Sequence, residues 1–351
     1  MLCPELPVYG AAAMGAVDNP PNPFERRRCQ YEATPPAAAV VVREELAVSI
    51  LSTNCSPDIP YRWSVNPYRG CQHGCAYCYA RRTHEYLDLG AGTDFNHQLT
   101  VKVNAPELLD VALSSRRWLH ECIAFSGVTD CYQPLEERYR LTRRCLEVCV
   151  KHANPVSVVT KSPLVVRDVD LLAELHRRRG ASVLLSITFA DDDLARRIEP
   201  GAPPPSARFD AVRRLGEAGV PVGVLLAPII PGLNDRCIPE VLRRAAECGA
   251  TCATYAPVRL PGSVAPVFLS HLRREMPEAA ARVEARIRDM RDGLLNNPQF
   301  GRRMAGSGPY WESVERLFEV VATRVGLYAD QEWREPSAAA TCAAGKQLLL
   351  F

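Results

Sequence analysis

Residues 66 to 81 read NPYRGCQHGCAYCYAR, and three cysteines lie inside that run: Cys71, Cys75 and Cys78. Thiolates are soft ligands, and three at spacings of four and three can wrap one face of a small metal centre. An ordinary iron–sulfur or structural zinc site is closed by four ligands. A three-ligand site leaves one metal position open, and an open position points to chemistry rather than scaffolding. The residues alone keep a zinc alternative open. Cys75 and Cys78 form a C-x2-C pair, which also fits zinc or redox chemistry. His73 or His84 could complete such a site, and Cys55 or Cys131 could supply a fourth thiolate. Against it, no second C-x2-C or H-x3-H pair follows downstream.

Around this loop the chain reads as a sequence of βα units. WSV at 63–65 is a short strand leading into the cysteines. The polar stretch AGTDFNHQLTVKVN that follows is expected to be a hairpin or irregular excursion. A helix is predicted from Pro106, with proline in its first turn. CIAFSG (122–127) is a buried strand, and a helix runs from Pro134 to the Asn154-Pro155 stop. Further strands are predicted at 156–160, 182–188, 220–228 and 251–257. The helices between them are stopped by Gly180, Gly219 and Gly249. Strands recurring every ~30 residues with helices between them are the signature of a parallel sheet. About six strands are too few for a closed eight-stranded barrel. The expected fold is therefore α/β, a partial (βα)6 barrel over 46–260. Before it lies an N-terminal extension, 1–45, rich in Pro, Ala and Arg and expected to be mostly disordered. After it come C-terminal helices over 261–330 and a flexible tail, 331–351.

Composition excludes several classes. At 351 residues the chain can bury a full core. A formal net charge of +2 gives no bulk basic character to announce nucleic acid. No run of about 18 apolar residues is present, so no membrane span is expected. The N-terminal stretch lacks a basic head and continuous apolar core, so it does not read as a signal peptide. The 14 cysteines are scattered over a long chain, which suits reduced thiols in the cytoplasm better than a disulfide framework. A monomer is expected. Basic residues are 38 arginines and only four lysines, so each lysine invites a question.

Polar residues at the predicted strand ends are the next candidates, since barrel sites lie at the C-terminal ends of strands. Thr129 and Asp130 follow the strand at 122–127, where a strand end meets a helix start and N–H groups face a ligand; both residue types also serve as helix N-caps. Lys161 directly follows VSVVT and is a point cation suited to a carboxylate, or simply a surface lysine. Ser186 is a hydroxyl in an apolar strand, which also suits a core serine bonded to backbone. Glu199 in RRIEP and Ala227 before Pro228 complete the set.

The cysteine run, with Tyr77 as its aromatic residue, resembles the C-x3-C-x-aromatic-C loop of the radical S-adenosylmethionine (radical SAM) enzymes. SGVTD-YQP-E, VVTKS, RDVDLL, RIEP, PIIPGLND and RLPG are similar to the spore photoproduct lyase-like branch of that superfamily. The resemblance covers roughly Ser49 to Tyr328. It implies a 4Fe–4S cluster on Cys71, Cys75 and Cys78, S-adenosylmethionine on the fourth iron, and a reducing electron donor as partner. It further implies a 5′-deoxyadenosyl radical that takes a hydrogen atom from substrate. By the same resemblance Thr129 and Asp130 bind the SAM amino group, Lys161 its carboxylate, Ser186 the ribose or the carboxylate, Glu199 the ribose side, and Ala227 the adenine side. One departure stands out. The branch's hydrogen-atom donor, a cysteine three residues before the strand-end Asp, is Gly127 here, leaving Cys131 as the candidate substitute.

The last five residues, QLLLF, resemble the peptide by which bacterial proteins bind the DNA sliding clamp. Gln347 would hydrogen-bond at a pocket entrance while Leu348, Leu350 and Phe351 fill apolar pockets. Three functions follow as expectations. The first is a radical SAM enzyme of DNA lesion repair, and the second a radical SAM enzyme modifying RNA, protein or a metabolite. The third is a non-catalytic Fe–S or zinc module.

Overall fold

In the computed structural model, residues 19–24 and 39–327 are described, and the statements that follow concern these. The strands are β1 (Val41–Glu45), β2 (Leu51–Thr53), β3 (Trp63–Val65), β4 (Tyr68–Arg69) and β5 (Gln98–Lys102). They continue with β6 (Ile123–Phe125), β7 (Val156–Thr160), β8 (Ala181–Ser186), β9 (Val222–Ile229) and β10 (Cys252–Pro257). The α-helices are α1 (Asp94–His97), α2 (Ala105–Leu113), α3 (Leu135–Tyr139), α4 (Leu141–Lys151), α5 (Val169–Arg178) and α6 (Asp192–Ile198). After these come α7 (Pro205–Glu217), α8 (Ile238–Glu247), α9 (Val264–Glu275), α10 (Pro277–Asp289) and α11 (Pro309–Arg324).

Seven strands form one sheet in the order β10-β9-β8-β7-β6-β3-β2. From β3 to β10 every neighbouring pair is parallel, and β2 adds an antiparallel edge to β3. This is the expected α/β partial barrel of six parallel strands. The strands are apolar because both faces are covered. Val158, Val183, Leu185 and Val224 are fully buried in one core with Leu172, Leu215 and Val241 from the covering helices. No helix among the described residues is long and apolar enough to cross a membrane.

Three elements depart from the sequence expectation. The stretch at 91–104 is not a hairpin. It forms α1 and then β5, which joins β1 and β4 in a second, three-stranded sheet. Leu99 and Val101 alternate inward there and pack on Tyr68, Leu135 and Leu141. The chain is ordered into this sheet from Val41, within the segment expected to be disordered. Second, the helix expected from Pro134 is broken at Arg140, whose φ of 50° is left-handed. The break lets the buried Glu136 carboxylate accept the N–H groups of Thr142 and Arg143 at the start of α4. Third, the strand expected at 122–127 stops at Phe125, and the backbone turns through Gly127 at φ 106°.

The C-terminal helix α11 belongs to the barrel's own core. Trp311 is fully buried, and Tyr255 of β10 lies 4.6 Å from the Phe318 ring and 6.3 Å from Trp311. Trp311→Ala should therefore destabilise the whole chain by about 3–5 kcal/mol. Urea unfolding should show one transition moved to lower denaturant. Two separate transitions would mean that the C-terminal helices fold apart from the barrel.

Candidate active site

The cysteine loop leaves β4 and crosses the ends of the parallel strands. Two close approaches fix its backbone. Gly70 has φ 74°, and a Cβ there would lie 2.9 Å from the Phe95 carbonyl oxygen. Gly201, in RIEPG, lies so near that a Cβ would sit 2.2 Å from the Gln72 carbonyl oxygen. The Gly201 N–H also donates to His73 O at 3.0 Å, and Ala76 N–H to Ile198 O at 3.0 Å. The loop is thus laced to the end of α6.

Inside the loop lies Arg81, 1% exposed. Its Nε and Nη2 donate to Cys75 O at 3.1 and 2.9 Å, and Nη2 also to Gly74 O at 3.1 Å. Its Nη1 donates to Ala91 O at 3.0 Å and Gly92 O at 2.8 Å. Every acceptor is a carbonyl, and no carboxylate among the described residues pairs with this cation. Burial lowers its pKa, and the groups that oppose this are Cys78, Cys75 and Cys71. The same burial pushes the thiols upward, Cys75 to about 12. Metal-free, the thiols would be neutral and the guanidinium uncompensated. Ligated as thiolates they would balance it. The donor set therefore fits an anionic, sulfur-ligated cluster.

The histidines that might have closed a zinc site each keep one ring nitrogen, His84 Nδ1 and His73 Nε2, buried without a hydrogen-bond partner among the described residues, while the other nitrogen lies near an oxygen. His84 Nε2 lies 2.8 Å from Gln98 O, and His73 Nδ1 lies 3.4 Å from Asp130 Oδ2. Cys55 is exposed on the loop after β2. Among the described residues no three His, Cys, Asp or Glu side chains converge as a finished single-ion site.

A second buried network backs the loop's aromatic residue. The Tyr77 hydroxyl donates to Glu199 Oε1, which also accepts Thr188 Oγ1 at 2.6 Å. Arg208 Nη2 donates to Glu199 Oε2 at 2.5 Å, while its Nη1 holds Ser186 O at 3.0 Å and its Nε holds Pro203 O at 2.8 Å. Burial alone would raise the Glu199 pKa. Arg208 and Lys161, with the hydrogen bonds from Thr188 and Tyr77, outweigh it and hold the carboxyl at about 2. Where the resemblance expects a ribose contact, both carboxylate oxygens are occupied inside the protein.

Asp130 is held in a similar way. Its Oδ1 accepts Thr160 Oγ1 at 2.6 Å and the Tyr132 N–H at 2.9 Å. Its Oδ2 accepts the Lys161 N–H at 2.7 Å. It therefore ties the end of β6 to the end of β7. Thr129 Oγ1 donates to Asn66 Oδ1 at 2.9 Å, and Asn66 Nδ2 to Thr129 O at 2.7 Å, which joins β6 to the start of the cysteine run. Lys161 differs: its Nζ lies 5.7 Å from the centre of the Tyr77 ring and in no ion pair among the described residues. Ser186 ends β8 and is buried, and Ala227 lies in β9, half-buried. Cys131 must be corrected as a hydrogen-atom donor. It is fully buried, its Sγ lies 3.6 Å from Phe125 O, and it packs in the core with Cys145 and Leu146. A thiol enclosed behind β6 cannot meet a substrate in front of the strand ends. Gln347, Leu348, Leu350 and Phe351 lie outside the described residues.

Arg81, Arg208, Thr188 and Gly201 were not singled out from sequence. Arginine as a type carries no signal in a chain with 38 of them. Arg81 ends the quoted run 66–81 and Gly201 directly follows RIEP, so position beside a motif is the signal for these two.

Three comparisons bear on this arrangement. The model of the radical SAM superfamily matches residues 65–245. An uncharacterized protein of Mycobacterium tuberculosis (strain H37Rv) is 38% identical over 226 residues, 64% of this chain and 66% of its own length. The chain thus spans just under two-thirds of such curated relatives. The radical SAM Nalpha-GlyT isomerase of Pseudomonas phage M6 is 25% identical over 267 residues, 75% of this chain and 52% of the isomerase. In fold, spore photoproduct lyase complexed with dinucleoside spore photoproduct superposes with a TM-score of 0.60 at 16% identity, over 82% of this chain and 81% of the lyase.

The buried Glu199–Arg208 pair gives a prediction with a definite sign. The Glu199 carboxyl is held below its ordinary 4.5. Its contribution to stability is complete above about 4.5 and is lost as the pH falls through about 2. Glu199→Gln leaves Arg208 buried without a counter-ion and should cost about 3–5 kcal/mol near neutral pH. Thermal unfolding at pH 5 and pH 8 should show the same loss at both values. A loss confined to one of them would place the titrating group elsewhere.

Proposed function

Because the chain belongs to the radical SAM superfamily and is a radical SAM enzyme, we propose that Cys71, Cys75 and Cys78 hold a 4Fe–4S cluster with one iron open to S-adenosylmethionine, and that the substrate is DNA carrying a lesion or modification. The observation that carries the cluster assignment is Arg81, a buried guanidinium that pairs with no carboxylate among the described residues and is opposed by the three cysteines. When bound, the cluster and SAM supply one-electron cleavage of the sulfonium and, through it, hydrogen-atom abstraction from substrate.

The chain's residues take the remaining roles. Lys161 meets the SAM carboxylate as a point cation at the end of β7. Asp130 acts through others, fixing the Lys161 backbone and the β6–β7 junction. Tyr77, pinned by Glu199, keeps the loop in register with β8 and α6. Ser186 and Ala227 line the ribose and adenine side at the ends of β8 and β9. A reducing electron donor is required as partner. The hydrogen-atom relay of this enzyme does not run through Cys131.

Support for DNA comes from one protein of like fold and one peptide; a phage relative is named only by its isomerase activity. Spore photoproduct lyase, which shares the fold, is solved with a dinucleoside spore photoproduct. The phage relative is a Nalpha-GlyT isomerase. The tail QLLLF resembles a clamp-binding peptide and would bring the enzyme to DNA despite the low net charge of +2.

Anaerobic reconstitution should load about four irons per chain, and Cys75→Ala should lose them. Stoichiometric zinc without sulfide would refute the cluster. Lys161→Ala should keep its iron while SAM affinity drops about tenfold or more, as expected for a lost charge-assisted contact. Asp130→Ala should lower both, because it loosens the strand ends that carry the loop. Deleting Gln347–Phe351 should abolish micromolar binding to a bacterial sliding clamp and leave iron and SAM binding intact. A full-length chain that ignores the clamp at high micromolar concentration would shift the reading to RNA, protein or a metabolite.

A further inference from the structure

Beside the cysteine loop, three arginines gather around one carboxylate. Arg303 Nε donates to Asp58 Oδ2 at 2.5 Å, with both side chains 5% exposed, and Gly301 N–H donates to Asp58 Oδ1 at 2.7 Å. Both Asp58 oxygens are therefore occupied, one by Arg303 and the other by the Gly301 N–H. Arg291, 2% exposed, donates from its Nη2 to Val258 O at 2.8 Å and from its Nη1 to Ala305 O at 3.2 Å, and its buried Nε has no acceptor. Arg259, the second residue after β10, is half-buried and nearly bare. Among the described residues its Nη1 hydrogen-bonds Met304 Sδ at 3.4 Å, and its buried Nε has no hydrogen-bond partner. Arg259 forms no ion pair among the described residues. Burial and the charge of Arg303 lower the Arg259 pKa against the opposing charges of Tyr79 and Asp58, and burial and the charge of Arg259 lower that of Arg291 to about 10. Two of the three cations, Arg259 and Arg291, thus form no ion pair among the described residues.

The position of this charge is informative. Arg259 lies over the ring of Tyr79 at 5.9 Å, and Tyr79 follows Cys78 directly. The Tyr79 hydroxyl donates to Gly127 O at 2.6 Å, at the end of β6. Arg259 therefore stands at the C-terminal ends of the strands, next to the cluster loop, and Lys161 follows β7 at the same end of the sheet. A guanidinium held there with an idle fork is a receptor for a planar or tetrahedral oxyanion. SAM offers one carboxylate, which Lys161 meets.

We propose that Arg259, with the charges of Arg291 and Arg303 behind it, binds a phosphate oxyanion of the substrate, a phosphodiester on the reading of the substrate as DNA given above, and so sets which nucleoside lies before the cluster. The inference rests on that reading for the source of the phosphate, and on the arginine geometry for the site itself.

The test uses the full chain, reconstituted with iron and sulfide. Three probes are the dinucleotide TpT, the same dinucleotide with a neutral methylphosphonate linkage, and inorganic phosphate. The wild type should bind TpT about tenfold or more tightly than its neutral analogue, the effect of one lost charge-assisted contact. Arg259→Gln should abolish that preference, and Arg259→Lys should retain part of it. Iron content and SAM affinity should be unchanged in both variants, which separates the effect from misfolding. A preference for TpT that persists in Arg259→Gln overturns the proposal. If neither dinucleotide binds but inorganic phosphate does, and Arg259→Gln loses it, the anion site stands and the DNA reading falls. If no probe binds the wild type, the site is not an anion receptor.

Discussion

The five hydrogen bonds from Arg81 to carbonyl groups are the constraint on which the candidate site depends. They fold residues 74–92 back on the cysteine loop through one planar group, with no room for a flexible lysine. Removing it would leave several buried carbonyls unpaired, each a cost of about 1–3 kcal/mol. The loop's conformation and its electrostatic need for an anion are therefore one feature. A guanidinium that shapes the peptide also demands negative charge where the three sulfurs lie. A carboxylate partner would have met that demand without metal, and none is present among the described residues.

Around that loop the polar residues sort into two layers. Asp130, Thr129 and Glu199 face into the protein, and each joins one strand or loop to the next. Lys161 and Arg259 stand at the C-terminal strand ends beside the rings of Tyr77 and Tyr79 and form no ion pair among the described residues. Carboxylates inside with cations at the strand ends leave that end positive, although the whole chain carries only +2. Local field, rather than total charge, then selects what enters.

The six parallel strands were legible because each combines a buried apolar run with a glycine-stopped helix, a pattern repeated along the chain. The side sheet was not, since β5 is only five residues with polar flanks, and its alternation of Leu99 and Val101 is too short to stand out. The break at Arg140 escaped because its cause, the buried Glu136 carboxylate, is tertiary. Chemical type pointed to the cysteines and to Lys161. It misplaced Cys131, because a thiol beside a strand end can face the helix layer as readily as the opening. The three arginines near Asp58 come from segments far apart in sequence, and no periodicity links them.

The main sheet never closes, and its two outer strands, β2 and β10, are not hydrogen-bonded to each other. The loop after β2 is instead tied to the segment before α11 by the Asp58–Arg303 pair, 245 residues apart. A sheet seam would resist opening with a ladder of backbone bonds. This seam is latched by side chains, with a rupture cost of about 3–5 kcal/mol for a buried pair. A guest wider than a small metabolite could part the latch while every strand keeps its neighbours. Parting this side of the circle would break the contacts around Asp58 rather than a strand ladder.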